Sequence, residues 1–397
     1  MRVAALAALM LAAGYCGFLV MRAPDRGAFD FQAFYCAGAA VREHADPYRT
    51  QPLGACEHRQ TRGSYAALPP DVVLPAPQPG YDVAPFALLS FLPFATAKAV
   101  WGAALAIALA LAIVAAYGAT RARAGTVVMA LIASLVFPAL AFGQIFAIFA
   151  AAACAAMFFA ATQRWSAAGI AAAISLVEPH FGLPLCAALF VLRPQARVAL
   201  AAAIAALAVT ALAVLGVHAN VEYVTSVVPL HALAELGSDA QLGVPTLLHA
   251  AGVPARIALL CGMLVYAAAV VVGVALGGVL ASHTRVDALV AAGPVAFAVM
   301  GAAFVHVTEV FAAVPLALLL ASMRTRRRSL FAAALVFLSV PWYMALERGN
   351  AIAFAVLGAA VVTYLAWRTA KNPYAAAAAG ALAFALLFAV PHIPVPL

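Results

Sequence analysis

The chain has 397 residues, of which 67% are apolar and only 9% charged, with a formal net charge of +8. Its mean hydropathy is +1.05. A soluble domain carries about 25% charged residues, so 22 basic and 14 acidic side chains cannot cover a globular surface of this size. The composition excludes a soluble enzyme and, despite the basic balance, predicts no nucleic-acid partner. It predicts an all-α polytopic membrane protein.

The first apolar run covers about residues 3–21 and is long enough to cross a hydrocarbon core about 30 Å thick. No convincing small-x-small cleavage site precedes Arg22, so we interpret residues 1–21 as a retained first transmembrane helix rather than a signal peptide.

A polar, proline-rich stretch follows at residues 22–85 and holds seven of the fourteen acidic residues. A loop this long and this acidic is expected to carry function. Within it, Phe31, Phe34, Tyr35 and Gly38 recur at helical spacing, which predicts an amphipathic juxtamembrane helix lying on the membrane surface. Asp30 stands at the start of this helix, where it could serve function or only cap the helix.

Residues 86–397 contain the remaining apolar runs, and the total predicts about 11–13 transmembrane helices in one integral-membrane domain. These runs lie near 98–118, 126–142, 144–161, 165–177, 182–192, 198–217, 256–281, 287–304, 308–322, 329–346, 351–367 and 374–391.

Charge places the loops on two sides of a membrane. If the N-terminus is cytoplasmic and each run changes sides, thirteen of the 22 basic residues fall in short cytoplasmic loops, as the positive-inside rule requires. Thirteen of the fourteen acids fall on the other side, and only Asp287 is cytoplasmic. The pattern predicts a multi-pass protein of the inner (plasma) membrane whose long first loop is extracytoplasmic.

Three polar sites occur at the outer ends of later helices, on the face predicted for Asp30. Polar groups near membrane depth usually face a cavity or pair with one another, although Glu178 and Glu309 could also be solvated helix ends. Lys98 and Trp101 belong to an aromatic re-entry typical of an interfacial belt. The three polar sites are Gly143-Gln144, the segment from Glu178 to His180, and the segment from His306 to Glu309.

The sequence contains no nucleotide-binding glycine loop and no cysteine or histidine spacing typical of zinc. No metal ligands are predicted, because Asp30 alone makes a poor site, and whether a divalent metal assists stays open. Cys36 and Cys56 lie in the same extracytoplasmic loop, so they are a candidate disulfide in an oxidising compartment.

Taken together, these segments resemble glycosyltransferase family 87, which is similar to the mycobacterial phosphatidylinositol-mannoside mannosyltransferases and has the GT-C architecture. The chain departs from the family where Glu178-Pro179 replaces Lys-Pro and where Ala84-Pro85 replaces Pro-Pro. The matching segments are Asp30 to Tyr48, Tyr81 to Phe94, Gly143-Gln144, Glu178-Pro179 and His306 to Pro315.

The resemblance implies a hexosyltransferase, of mannosyl type, that uses a polyprenyl-phosphate-sugar donor and a lipid or glycan hydroxyl acceptor at the outer face of the bilayer. The donor is a substrate, so no cofactor is implied. Asp30 matches the catalytic Asp of the family and His306 matches a late His near the donor phosphate. Inversion by single displacement needs one base and groups that stabilise the phosphate. The candidate donor- and acceptor-binding residues are His306, Glu309, Gln144, Glu178, His180, Tyr35, Arg42 and Lys98.

Two other classes fit many membrane spans. A transporter or lipid flippase would show internal repeats and charges near the bilayer midplane, whereas the charges here sit at helix ends. A glycan polymerase or ligase would place its large loop later in the chain. The early acidic loop favours the transferase.

Overall fold

The computed structural model describes residues 28–60, 73–120, 122–238, 241–299, 305–323 and 328–339, together with four helical residues at 10, 11, 13 and 14. Most of the predicted first transmembrane helix at residues 1–21 lies outside the described residues. So do the predicted spans at 351–367 and 374–391 and the end of the run at 329–346.

The described chain is mainly helical and contains two short strands. Strands β1 (Gln241–Leu242) and β2 (Val305–His306) pair antiparallel, with Gln241 opposite His306. The helices are α1 (Phe29–Arg42), α2 (Thr50–Gln60), α3 (Gly80–Leu89), α4 (Phe94–Ala119), α5 (Ala124–Phe137), α6 (Phe146–Ala161), α7 (Trp165–Ile174), α8 (Pro179–Leu192), α9 (Arg197–Glu222), α10 (Val228–Glu235), α11 (Val244–Ala250), α12 (Ala255–Thr284), α13 (Leu289–Ala298), α14 (Val314–Ser322) and α15 (Arg328–Leu338).

Shorter helical turns join several of these helices. They are the π-helical turns Pro138–Phe142 and Tyr223–Val227 and the 3-10 turns Ser175–Val177, Pro194–Ala196 and Val307–Ala313.

Within the described residues, four helical segments are long and apolar enough to cross a membrane, which agrees with a polytopic membrane protein. Their outer faces carry large apolar side chains: Leu111, Val209 and Leu264 are each more than half exposed. An apolar surface of this extent suits lipid rather than water. The four segments are Phe94–Ala119, Ala124–Phe142, Pro194–Glu235 and Ala255–Thr284.

Helix α1 is buried inside the protein. Ten consecutive residues, Phe31 to Ala40, are buried on all sides of the helix. The predicted helix is present, but the prediction that it lies amphipathically on the membrane surface is wrong, because the buried residues, Gln32 among them, cover every face of the helix. Its partners include α3, and the ring of Phe34 packs at a tilt against that of Phe86, with ring centroids 5.1 Å apart.

Helices α1 and α2 are joined by covalent and polar contacts. The structure links Cys36 and Cys56 by a disulfide. Beside it, the Gln32 side chain donates a hydrogen bond to the backbone oxygen of Glu57 (2.9 Å), and the Glu57 carboxylate accepts one from the Leu74 N–H (2.9 Å). Burial raises the pKa of Glu57 to about 7, although the Leu74 hydrogen bond opposes the shift. These contacts hold the early loop as a folded layer.

The close approach of α1 and α3 depends on Gly38. A Cβ on Gly38 would overlap the carbonyl group of Phe86, whereas a Cβ on Gly102 in α4 would meet nothing within 4 Å. Alanine normally stabilises a helix over glycine by about 1 kcal/mol, but overpacking costs about 1–3 kcal/mol. We therefore expect Gly38→Ala to lower the unfolding temperature of the purified protein in detergent.

The matched variant Gly102→Ala should leave the unfolding temperature unchanged or raise it. Equal unfolding temperatures for wild type and Gly38→Ala would show that the α1–α3 contact is not under steric constraint.

Candidate active site

The first turn of α1 rests on the turn that ends the π-helical segment Pro138–Phe142. Gly143 has a φ of 75°, and a Cβ there would lie 2.7 Å from the Cβ of Phe31. Only glycine satisfies both the left-handed backbone and the close contact. The Trp101 indole N–H donates to the Gly143 oxygen (2.8 Å), and Trp101 is 5% exposed, so the prediction that it belongs to an interfacial belt is wrong.

This contact places Asp30 against Gln144. The Gln144 side chain hydrogen-bonds the Asp30 carboxylate, and because its buried Oε1 has no hydrogen-bond partner in the described chain, the amide nitrogen is the donor. Ala28 occupies the N-cap position with no side-chain cap bond. Asp30 therefore reaches out of its helix instead of capping it.

Burial raises the pKa of Asp30 from 3.8 to about 6. Gln144 and the charge of His306 favour the ionised form, while the negative charge of Glu235 opposes it. The residue as a whole is half-buried. Its pKa thus lies close to neutral pH, where it can exchange protons.

His306 lies at the end of β2 and begins the 3-10 turn that carries Glu309. Its backbone N–H donates to Glu309 Oε2 (2.8 Å), and the two residues form a capping box. The His306 ring has Nδ1 3.3 Å from Glu309 Oε1 and Nε2 3.9 Å from Glu235 Oε2. Burial alone would lower the pKa of His306, but Glu309, Glu235 and Asp30 outweigh it, and the pKa is raised. The protonated ring is favoured.

Glu178 and His180 open α8 and face the same region. His180 Nε2 lies 3.3 Å from Glu309 Oε2, and His180 Nδ1 lies 3.9 Å from Glu178 Oε2. The Tyr266 hydroxyl of α12 donates to the His180 backbone oxygen (2.7 Å). Because Glu178 is 8% and Glu309 1% exposed, the alternative that they are solvated helix ends is wrong.

Three further titratable residues interact electrostatically with this group of carboxylates and histidines and were not predicted from the sequence: Asp82, His231 and Glu235. Asp82 and Asp30 both contribute negative charge at Glu178, and His231 interacts with Glu235 and His306. His231 and Glu235 are four residues apart on α10, a helical spacing that could have revealed them. We call the whole set the carboxylate–histidine cluster: Asp30, Asp82, Gln144, Glu178, His180, His231, Glu235, His306 and Glu309.

Tyr35 and Arg42 make contacts elsewhere. The Tyr35 hydroxyl donates to the Leu92 backbone oxygen (2.9 Å). Arg42 donates to the Ser90 oxygen, pairs with Glu43 and lies over the ring of Phe91. Both side chains tie α1 to the α3–α4 turn, so the structure gives them a positioning role and does not bring them into the cluster.

Lys98 lines a cavity of about 310 Å³ beside the cluster. Ala28 and Phe31, which bracket Asp30, form one side of it, and Gly143, next to Gln144, forms another. The remaining lining residues are Ala95, Ala99, Trp101, Gly102, Leu105, Ala139 and Leu140. The cavity is thus an apolar chamber with one ammonium group at its wall.

One part of the cluster has the composition of a metal site. Glu178, His180 and Glu309 can each offer one ligand atom, and these atoms all lie within 4.8 Å of one another. A carboxylate of near-neutral pKa can remove a proton from a nucleophile, and the neighbouring donors can stabilise an anion that leaves.

The chain was compared with known proteins. The family model described as glycosyltransferase family 87 matches residues 81–308, which is more than half of the chain. The matched range contains Gln144, Glu178, His180 and His306, whereas Asp30 precedes it. No curated protein and no solved structure matches the chain. The match favours the transferase over the transporter: the chain belongs to glycosyltransferase family 87 and is a membrane glycosyltransferase.

Proposed function

We propose that the protein transfers a hexosyl residue, of mannosyl type, from a polyprenyl-phosphate-sugar to a hydroxyl group of a lipid or glycan acceptor at the extracytoplasmic face. Asp30 is the general base of this reaction. The observation that carries the proposal is Asp30 itself, a half-buried residue whose carboxylate is held by Gln144 and has a pKa of about 6.

The chemistry requires one base. As the acceptor oxygen attacks the anomeric carbon, Asp30 takes the hydroxyl proton. The bond from the anomeric carbon to the phosphate oxygen breaks, and its electron pair leaves with the polyprenyl phosphate. A general base works best when its pKa lies near the operating pH. Since the leaving group is already a phosphate, this displacement needs no second carboxylate as an acid, unlike glycoside hydrolysis.

The surroundings of Asp30 suit a donor with a charged head and an apolar tail. His306, whose protonated form is favoured, and His180 offer N–H groups that can stabilise phosphate. The chamber lined by Phe31 and Trp101 offers apolar walls for an isoprenoid chain, with Lys98 available for the phosphate.

Charge distribution and the disulfide support an extracytoplasmic site. The positive-inside pattern favours a cytoplasmic N-terminus and an extracytoplasmic position for the loop that carries Asp30. The disulfide between Cys36 and Cys56 fits an oxidising compartment.

The central test is the variant Asp30→Asn in a transfer assay with a panel of polyprenyl-phosphate-sugars and membrane lipid extracts. We expect transfer to fall by about 10²–10⁴-fold, the usual contribution of a general base. Glu43→Gln changes a half-exposed carboxylate at the other end of α1 and should keep full activity.

The same variant separates catalysis from folding. The folded-state pKa of Asp30 is raised, so its contribution to stability is present at low pH and is lost as pH rises through about 6. Asparagine is uncharged and removes the free-energy cost of burying the ionised carboxylate. We therefore expect Asp30→Asn to unfold at the same or a higher temperature than the wild type at pH 7.5. Undiminished transfer by Asp30→Asn would refute the base assignment.

Activity should depend on pH through the same group. Because the base must be ionised, kcat/KM for transfer should fall by about tenfold per pH unit below about 6. Initial rates between pH 4.5 and 8 measure this limb, with intact helical circular dichroism as the control for folding. A profile that stays flat down to pH 4.5 would contradict a base with a raised pKa.

The compartment can be tested by counting thiols. The chain has six cysteines, of which Cys36 and Cys56 are bonded. In protein denatured directly from membranes, reduction should add two thiols that react with a maleimide reagent. In Cys36→Ser the partner Cys56 is already free, so reduction should add none. Equal labelling of the wild-type protein with and without reduction would argue against an oxidising location.

A further inference from the structure

The carboxylate–histidine cluster contains more carboxyl groups than the described lysines and arginines pair with. Five carboxylates belong to it, and Glu178 experiences the negative charges of Glu309, Asp82 and Asp30. The ion pairs of lysine and arginine that the described chain contains are made by Arg42, Arg49 and Arg193 with acids outside the cluster. Buried charges are expensive unless they are paired or coordinate a metal.

Two carboxylates of the cluster make few contacts for the depth at which they lie. Asp82 is 3% exposed, and its Oδ2 has no hydrogen-bond partner in the described chain. The side chain of Glu178 is about nine-tenths buried, and its contact with His180 at 3.9 Å is too long for a hydrogen bond. These carboxylates are therefore left with acceptor capacity that a cation or its bound waters would use.

The geometry of three residues matches one coordination sphere. Metal ligands lie about 2.0–2.2 Å from the ion, so two ligands of one ion are about 3–4 Å apart. His180 Nε2 is 3.3 Å from Glu309 Oε2, which is the separation of two ligands of one ion, while Glu178 Oε2 lies 3.9 Å from the other ring nitrogen, Nδ1. One ligand atom from each of the three residues lies within 4.8 Å of the other two, so the three side chains must move slightly closer together to share one ion.

Surrounding contacts hold these ligands in place. Tyr266 fixes the His180 backbone, and the capping box with His306 holds the Glu309 carboxylate. Outer contacts of this kind orient metal ligands and tune their affinity.

We propose that Glu178, His180 and Glu309 bind one divalent cation, completed by water. Two carboxylates with one imidazole suit Mn²⁺ better than Mg²⁺, which takes oxygen ligands almost alone. The proposal that a cation binds is argued from these three residues alone. A further role for the cation, neutralising the donor phosphate beside Asp30, rests on the proposed function.

The test uses Mn²⁺ alone, titrated into the EDTA-stripped full-length protein in detergent, with free Mn²⁺ followed by electron paramagnetic resonance. We expect one bound Mn²⁺ per chain, and pulsed measurements should show coupling to the nitrogen of one imidazole. Glu178→Gln and Glu309→Gln should each weaken binding by at least about tenfold. Glu43→Gln should bind Mn²⁺ as the wild type does.

The proposal is overturned if folded wild-type protein binds no Mn²⁺, if both variants bind it unchanged, or if bound Mn²⁺ shows no nitrogen coupling. The nitrogen coupling tests the proposal even where a variant fails to fold, because this measurement uses only the wild-type protein. Bound Mn²⁺ without sugar transfer would refute the proposed function alone. Transfer by a protein that binds no Mn²⁺ would refute the metal site alone.

Discussion

The arrangement of the site depends on one contact, between the first turn of α1 and the turn at Gly143. Gly143 touches Phe31, and Trp101 holds the Gly143 carbonyl. The contact lets the next residue, Gln144, reach Asp30. Without it, the carboxylate would be a buried charge with no donor, which is costly in a low-dielectric environment.

Glu309 connects the elements on the side of the site away from Gly143. It accepts the His306 backbone N–H and lies next to the ring nitrogens of both His306 and His180. One carboxylate thus joins β2, the 3-10 turn that follows it and the start of α8. This sharing explains how residues that are 129 positions apart meet at hydrogen-bond distance.

The membrane environment explains where apolar and polar side chains lie in this protein. Leucine and valine side chains are exposed on the outer faces of the long helices, where they suit contact with lipid. The polar groups of the cluster lie in the interior of the protein. Polar groups near membrane depth must find partners within the protein. A family 87 transferase built in this way can keep a polar cluster beside an apolar chamber.

The sequence by itself determined the elements. Apolar run lengths located the membrane helices, and spacing located α1, because hydrophobic period and length are local properties. The runs predicted at 98–118 and 256–281 lie within α4 and α12. Polar residues at helix ends likewise indicated six members of the cluster, including Asp30 and Gln144.

Tertiary structure decided what local patterns do not encode. Whether α1 lies on the membrane or inside the protein, whether Trp101 faces lipid or Gly143, and whether Tyr35 and Arg42 join the site depend on which distant segments pack against them. The contribution of Asp82 also followed only from the fold, because an acid becomes part of a site through burial beside other acids, a property of neighbours rather than of sequence.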